Sequence, residues 1–143
     1  MKLHIITIGQ PKLEYAKLGW AEYWNRLGHY HDVRVTHIAD KHNDAEHLLT
    51  AASNSYKVAL EIEGREFSSP ALAEFLEKRA LDGREICFLI GGPDGLPDEV
   101  RRAADFQWSF GRLTLPHDLA MVTLLEALYR ASTINAGHPY HRA

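Results

Sequence analysis

Residues able to do chemistry concentrate in four short stretches of this chain. The densest is Gly137-His138-Pro139-Tyr140-His141-Arg142 at the C-terminus. Histidine is a general base near neutral pH, a tyrosine ring stacks on a planar base, and arginine meets an anion or a phosphate. The second stretch is Gly91-Gly92-Pro93-Asp94-Gly95. Its glycines let the backbone turn and let a ligand approach with no Cβ in the way. Leu60-Glu61-Ile62-Glu63-Gly64 and Phe110-Gly111-Arg112-Leu113-Thr114-Leu115-Pro116-His117 complete the set. Three glycine- or proline-marked loops of this kind, at the carboxyl ends of strands, would line one crevice with backbone N–H and C=O groups. Such a crevice suits an uncharged planar ring such as adenine. Taken one at a time, the same stretches also read as a tight turn and a solvated tail.

Several other chemistries are excluded. The spacing G-G-x-x-G is not a dinucleotide fingerprint, and no Gly-Lys-Ser/Thr follows it to make a phosphate loop. His117, His138 and His141 lack the added carboxylate and helical frame of a metal trio, so no metal site is expected. Histidines 4, 29, 31, 37, 42 and 47 show no ligand spacing and read as surface or strand residues. Ser109 has no nucleophile-elbow context. Cys87, the single cysteine, rules out an intrachain disulfide and a cysteine-based zinc site. Glu126 and Arg130, four apart, read as an ion pair on one helix.

The elements that must position these residues follow from periodicity. Ile86–Ile90 is an unbroken apolar run ending at Gly91, a strand buried on both faces. Leu3–Ile8, Val33–Ala39 and Lys57–Ile62 read as further strands, the last ending at Gly64, and Gln107–Leu115 as a fifth, broken near Gly111. Leu13, Ala16, Trp20, Tyr23 and Leu27 mark one face of a helix closed by Gly28 as C′ residue. Asp40–Asn43 is a polar loop and Asp44–Ser53 a short helix. Ser68-Ser69-Pro70 starts a helix that ends at Gly83, and another short one spans Pro97–Ala104. The last helix, His117–Asn135, is apolar over most of its circumference, with Thr123, Glu126 and Arg130 as its polar stripe. It therefore needs cover on two sides, the sheet on one and a second subunit on the other. The alternation of strands and helices predicts an α/β fold, a parallel sheet flanked by helices.

A chain of 143 residues, 45% hydrophobic and 24% charged, is expected to form one domain, 1–143. A formal charge of −3 offers no bulk attraction for nucleic acid, which would need a local basic patch or a second subunit. No stretch approaches the length of a membrane span.

Taken in order, LEIEG (60–64), LIGGPDG (89–95), WSFGRLTLPH (108–117), EALYRA (126–131) and HPYHR (138–142) closely resemble the RlmH family, rRNA pseudouridine methyltransferases of the SPOUT superfamily. The first half is similar more loosely, in KLHIITIG and AEYW. The resemblance implies a SPOUT-type α/β knot, in which a C-terminal trefoil knot forms the cofactor pocket. It implies a cytoplasmic homodimer that uses S-adenosyl-L-methionine to methylate N3 of a pseudouridine in helix 69 of 23S rRNA within the ribosome. Carried over by position, the cofactor contacts are Leu60, Gly91, Phe110, Gly111, Arg112, Leu113, Thr114 and Leu115, with Gly92 a neighbour. His138 or His141 would be the base, Tyr140 a stacking or orienting group, and Arg142 the anion partner.

Two positions depart from the family pattern. Met121 stands where relatives usually carry arginine, and the Asp40-Lys41-His42-Asn43-Asp44 loop is acidic where theirs is rich in lysine and glycine. Both remove positive charge that RNA phosphates would meet. Two other readings compete: a non-catalytic flavodoxin-like module holding a flavin or nucleotide, and a ribosome-associated interaction protein without turnover.

Overall fold

The computed structural model describes residues 1–141, so Arg142 lies outside the described residues. Five strands form one parallel sheet in the order β2-β1-β4-β3-β5. They are β1 (Lys2–Ile8), β2 (Asp32–Ile38), β3 (Tyr56–Glu66), β4 (Ile86–Ile90) and β5 (Phe106–Ser109). The connecting helices are α1 (Glu14–Leu27), α2 (Ala45–Ala51), α3 (Ser69–Leu81), α4 (Asp98–Ala103) and α5 (His117–Ala136). Central β4 is buried at all five positions. Its Ile86, Phe88 and Ile90 face one layer of the core and Cys87 and Leu89 the other, the period of two that a pleated strand imposes. Among the described residues no helix is long and apolar enough to cross a membrane.

The first layer packs the sheet against α1, α5 and α3, and the second against α2 and α4. Helix α5 lies between α1 and α3 and is covered on both flanks by its own chain. The position of Gly19 is one reason for this closeness, since a Cβ there would lie 3.0 Å from Val122 on α5. On the other side Asn135 donates to the Ala73 carbonyl of α3 at 3.0 Å. Both flanks of α5 are thus packed within this chain, while Leu119 on it stays 37% exposed. The sequence could not reveal this, because helix neighbours depend on sheet order.

Local signals hold where they rest on local chemistry. Ser68 caps α3, its hydroxyl accepting from Ala71 N–H at 3.2 Å, and Gly83 beyond the helix has φ +70°. Gly28 instead keeps a right-handed φ of −62°, because α1 runs on into a further turn. Leu13 is not on the buried face of α1; it precedes the helix and is 56% exposed.

Two strands end elsewhere than their sequences suggest. β3 continues past Gly64 to Glu66 because it pairs with β5 on both sides of an irregularity: Leu60 and Arg65 both align with Trp108. Residues 61–64 are looped out of the ladder. At Gly64 the chain passes so close to β5 that a Cβ would lie 2.7 Å from the Gln107 carbonyl oxygen. β5 in turn stops at Ser109 rather than reaching Leu115. The Ser109 hydroxyl donates to Ile62 O (2.8 Å) and accepts from Gly111 N–H (3.0 Å), and Gly111 has φ +123°, outside strand geometry.

Asp118, in the first turn of α5, fixes the start of α1. Its Oδ2 accepts from Lys12 N–H at 2.8 Å and Leu13 N–H at 2.6 Å. Burial alone would raise this carboxyl, but the two N–H bonds outweigh it and hold it below the usual range. The folded chain therefore favours the anion more than the unfolded chain does. That contribution is complete above the unfolded carboxylate range, near ~4, and fades as pH falls through the lower folded value. Asp118→Ala is expected to cost about 2 kcal/mol at neutral pH. The deficit should shrink on acidification, as read by denaturant unfolding of both chains at several pH values.

Candidate active site

Because all five strands run parallel, their carboxyl ends share one edge of the sheet, where ligands of open α/β folds sit. A cavity of about 790 Å³ opens there, within the usual size for a small-molecule site. Its walls come from residues 60–63, 90–95, 107–108, 110–111 and 113–115, with Asp98, Arg101 and Arg102 of α4 and His117 and Ala120 of α5.

Each wall has a local cause. After β4 the chain folds into a turn closed by Gly95 N–H to Gly92 O at 2.9 Å, with Gly95 at φ +79°. Gly91 lies against this turn, and a Cβ there would fall 2.6 Å from both Gly95 O and Leu96 N. The bonds of Ser109 to Ile62 and Gly111 join the looped-out residues of β3 to the loop after β5. Leu113, at the rim, is 81% exposed. Within the 40–43 segment that reads in sequence as a polar loop, Asp40–His42 form a single turn of 3₁₀ helix, and Asn43 beyond it comes close to Gly92. There the Asn43 side-chain nitrogen lies 3.8 Å from the place of a Gly92 Cβ.

Two polar atoms in these walls are buried without a partner, Glu61 Oε1 and His117 Nε2. Glu61 is held on one side only, by Arg101 at 3.5 Å from Oε2, and Arg101 is itself drawn to Asp98. Burial pushes the Glu61 carboxyl up despite that arginine.

Leu60, Gly91, Gly92, Phe110, Gly111, Leu113, Thr114 and Leu115 are thus brought to one cavity, while Arg112 is exposed and outside its lining. Sequence reasoning placed Glu61 and His117 in crevice-lining loops without naming them as cofactor contacts, and it did not associate Asp98, Arg101, Arg102 or Ala120 with the crevice. The available signals for Glu61 and His117 were their places within LEIEG and beside Pro116. Met121, one of the two departures from the family pattern, is fully buried in the core and forms no part of the lining. His42, Asp44 and His47 hold ligand-type atoms within 4.8 Å of one another, a grouping their spacing did not single out. Asp44 there caps α2 by accepting from His47 N–H, and it also pairs with the His47 ring at 2.8 Å.

The tail lies elsewhere. Gly137, left-handed at φ +72°, turns the chain back, and His138 N–H donates to Thr133 O at 2.9 Å. Tyr140 then packs edge-on against Tyr129, and the Arg130 guanidinium lies 4.9 Å from its ring centre. The Tyr140 hydroxyl donates to Glu126 at 3.3 Å and meets the Tyr23 hydroxyl at 3.1 Å. Arg130 and Glu126 form the expected pair at 2.8 Å. Burial, the Tyr23 hydroxyl and the Glu126 charge all push the Tyr140 phenol up, so it stays protonated. His138 Nδ1 accepts from Tyr140 N–H at 3.2 Å, and His141 Nδ1 sits 3.0 Å from His138 O, which it can only approach as a donor. In the neutral ring this leaves Nε2 of His141 as the free basic nitrogen. Tyr129 lies twelve residues along α5 from His117, about 18 Å at the helical rise. None of the described tail residues, 137–141, lines the cavity of its own chain.

Comparison with known proteins bears on the family and the fold. A family model described as "Predicted SPOUT methyltransferase" matches residues 1–141. The chain is 53% identical to the ribosomal RNA large subunit methyltransferase H of Deinococcus deserti over 99% of its length and all of that protein. It is 38% identical to the protein of the same name from Acinetobacter baumannii over the whole of both. Among solved structures it resembles a probable methylase family protein of Haemophilus influenzae (TM-score 0.59, 11% identity, 96% of this chain and 69% of that one). It also resembles the SpoU methyltransferase AviRb of Streptomyces viridochromogenes, solved with AdoMet (TM-score 0.52, 14% identity, 96% and 58%).

Proposed function

The chain belongs to the SPOUT methyltransferases, in the family of ribosomal RNA large subunit methyltransferase H, and from that premise we propose that it methylates N3 of a pseudouridine in helix 69 of 23S rRNA, with S-adenosylmethionine as donor. The observation that carries the reading is the convergence of three separate backbone loops, marked by Leu60, Gly91 and Leu113, on one cavity at the strand ends.

The walls fit the cofactor. Apolar side chains and close-set backbone amides suit an adenine ring, and the unpartnered Glu61 Oε1 and His117 Nε2 suit the polar remainder. Leu60, Gly91, Gly92 and the run Phe110–Leu115 would hold it, with Arg112 meeting charge at the rim. When bound, S-adenosylmethionine supplies an electrophilic methyl group on a good leaving group. The chain must then align the acceptor and take its proton. The N3–H of pseudouridine lies between two carbonyls, roughly two to three pK units above an imidazolium, so transfer to histidine costs about 3–4 kcal/mol. Such a cost is met if the developing anion faces a cation, the role of Arg142. His141, with Nε2 free, is the base, and His138 and Tyr140 hold it in place.

Since none of residues 137–141 lines the cavity and Tyr140 packs beside Tyr129, about 18 Å along α5 from the cavity-lining His117, the base is delivered by a second copy, and the working enzyme is a homodimer with composite sites. A knotted path for the C-terminal segment belongs to the same reading. Mass spectrometry of rRNA nucleosides from cells with and without the gene tests it. One methylated pseudouridine should disappear with the gene, and an unchanged nucleoside profile would overturn the assignment. Calorimetric binding of flavin but not S-adenosylmethionine would instead make the chain a flavodoxin-like module.

A further inference from the structure

The cavity has an acid that the resemblance assigns no role. Glu61 follows Leu60 at the point where β3 leaves the ladder, and the looped-out backbone carries its side chain into the cavity wall. The side chain is 14% exposed, and its carboxylate is only half answered: Arg101 stands 3.5 Å from Oε2, whereas Oε1 is buried with no partner. Arg101 is shared with Asp98, which weakens its hold on Glu61. The lining as a whole is acidic, with Glu61, Glu63, Asp94 and Asp98 against Arg101 and Arg102. A buried acceptor without a donor is unfavourable until something donates to it. In an acidic cavity the favoured donor is neutral or cationic.

We propose that Glu61 is a cofactor-binding residue, its free carboxylate oxygen accepting a hydrogen bond from the ammonium group or the ribose hydroxyls of S-adenosylmethionine. This inference rests on the function proposed above. The sulfonium itself carries no N–H or O–H, so these groups are the donors that an oxygen acceptor would meet beyond the adenine ring.

Calorimetry on the full chain separates the possibilities. S-Adenosylmethionine is titrated into wild type and Glu61→Gln, and 5′-methylthioadenosine, which keeps the ribose but lacks the amino acid, into both. E61Q should weaken S-adenosylmethionine at least tenfold. Loss for methylthioadenosine as well assigns the ribose hydroxyls; loss for S-adenosylmethionine alone places the contact at its cationic amino-acid end, and a matching loss for S-adenosylhomocysteine, which keeps the ammonium on a neutral sulfur, assigns the ammonium. An E61Q affinity for S-adenosylmethionine within twofold of wild type overturns the role of Glu61 while leaving the function standing. A wild type that does not bind S-adenosylmethionine overturns the function and this inference with it. If E61Q melts well below wild type, Glu61→Asp is read in the same way. It keeps the charge but withdraws it by one methylene, so a threefold loss is expected and none would refute the contact.

Discussion

Gly91→Ala is expected to abolish cofactor binding and to destabilise the fold by about 3 kcal/mol, the upper part of the range for overpacking a closed site. The added methyl would lie 2.6 Å from Gly95 O and from Leu96 N, closer still to the Gly95 carbonyl carbon, and all of these are backbone atoms that no rotamer change can move. Relief requires opening the turn held by Gly95 N–H and Gly92 O. That turn is one wall of the cavity. Gly95→Ala is the control. Gly95 has φ +79° but open space around a Cβ, so only the left-handed conformation is penalised, at about 1 kcal/mol. Denaturant unfolding and calorimetry with S-adenosylmethionine on both variants read the difference. Equal effects would mean that backbone crowding at Gly91 is not what shapes the site.

The second large effect concerns the tail. His141→Ala is expected to lower methyl transfer by roughly a hundredfold or more, the usual contribution of a positioned base. His138→Ala and Arg142→Ala should reduce it as well, and all three should leave cofactor affinity nearly unchanged. Full activity in all three would end the assignment. Composite sites make a sharper demand. Leu113→Glu alters an exposed rim position that folding tolerates and should spoil the cavity while leaving the tail intact. Mixed with H141A, it should recover activity, since about half of the randomly formed dimers then hold one intact cavity facing one intact tail. Failure to recover would show that cavity and tail act within one chain.

Much of this architecture was legible from order along the chain. Ile86–Ile90 is apolar without a break and is buried at every position. Ser68 with Pro70 opens α3, and the Glu126–Arg130 pair forms on α5 as its spacing requires. For the cap and the ion pair, partners within four residues decide the outcome, and capping and the helical period describe such partners completely; for the strand, an unbroken apolar run already announces burial on both faces.

What lay hidden was set by distant partners. The looped-out segment at 61–64 exists because β3 pairs with β5 on either side of Trp108, and this strand register places Glu61 at the cavity. The early end of β5 follows from a serine that reaches across to Ile62. The cover of α5 by α1 and α3 follows from the sheet order β2-β1-β4-β3-β5. The tail's departure from its own cavity follows from Tyr140 finding Tyr23 and Glu126. The sequence by itself determined which segments are strands and helices and which stretches carry chemistry, because those depend on neighbours in the chain. Only the tertiary structure decided which of them share a cavity, because register and packing are chosen among contacts that periodicity does not encode.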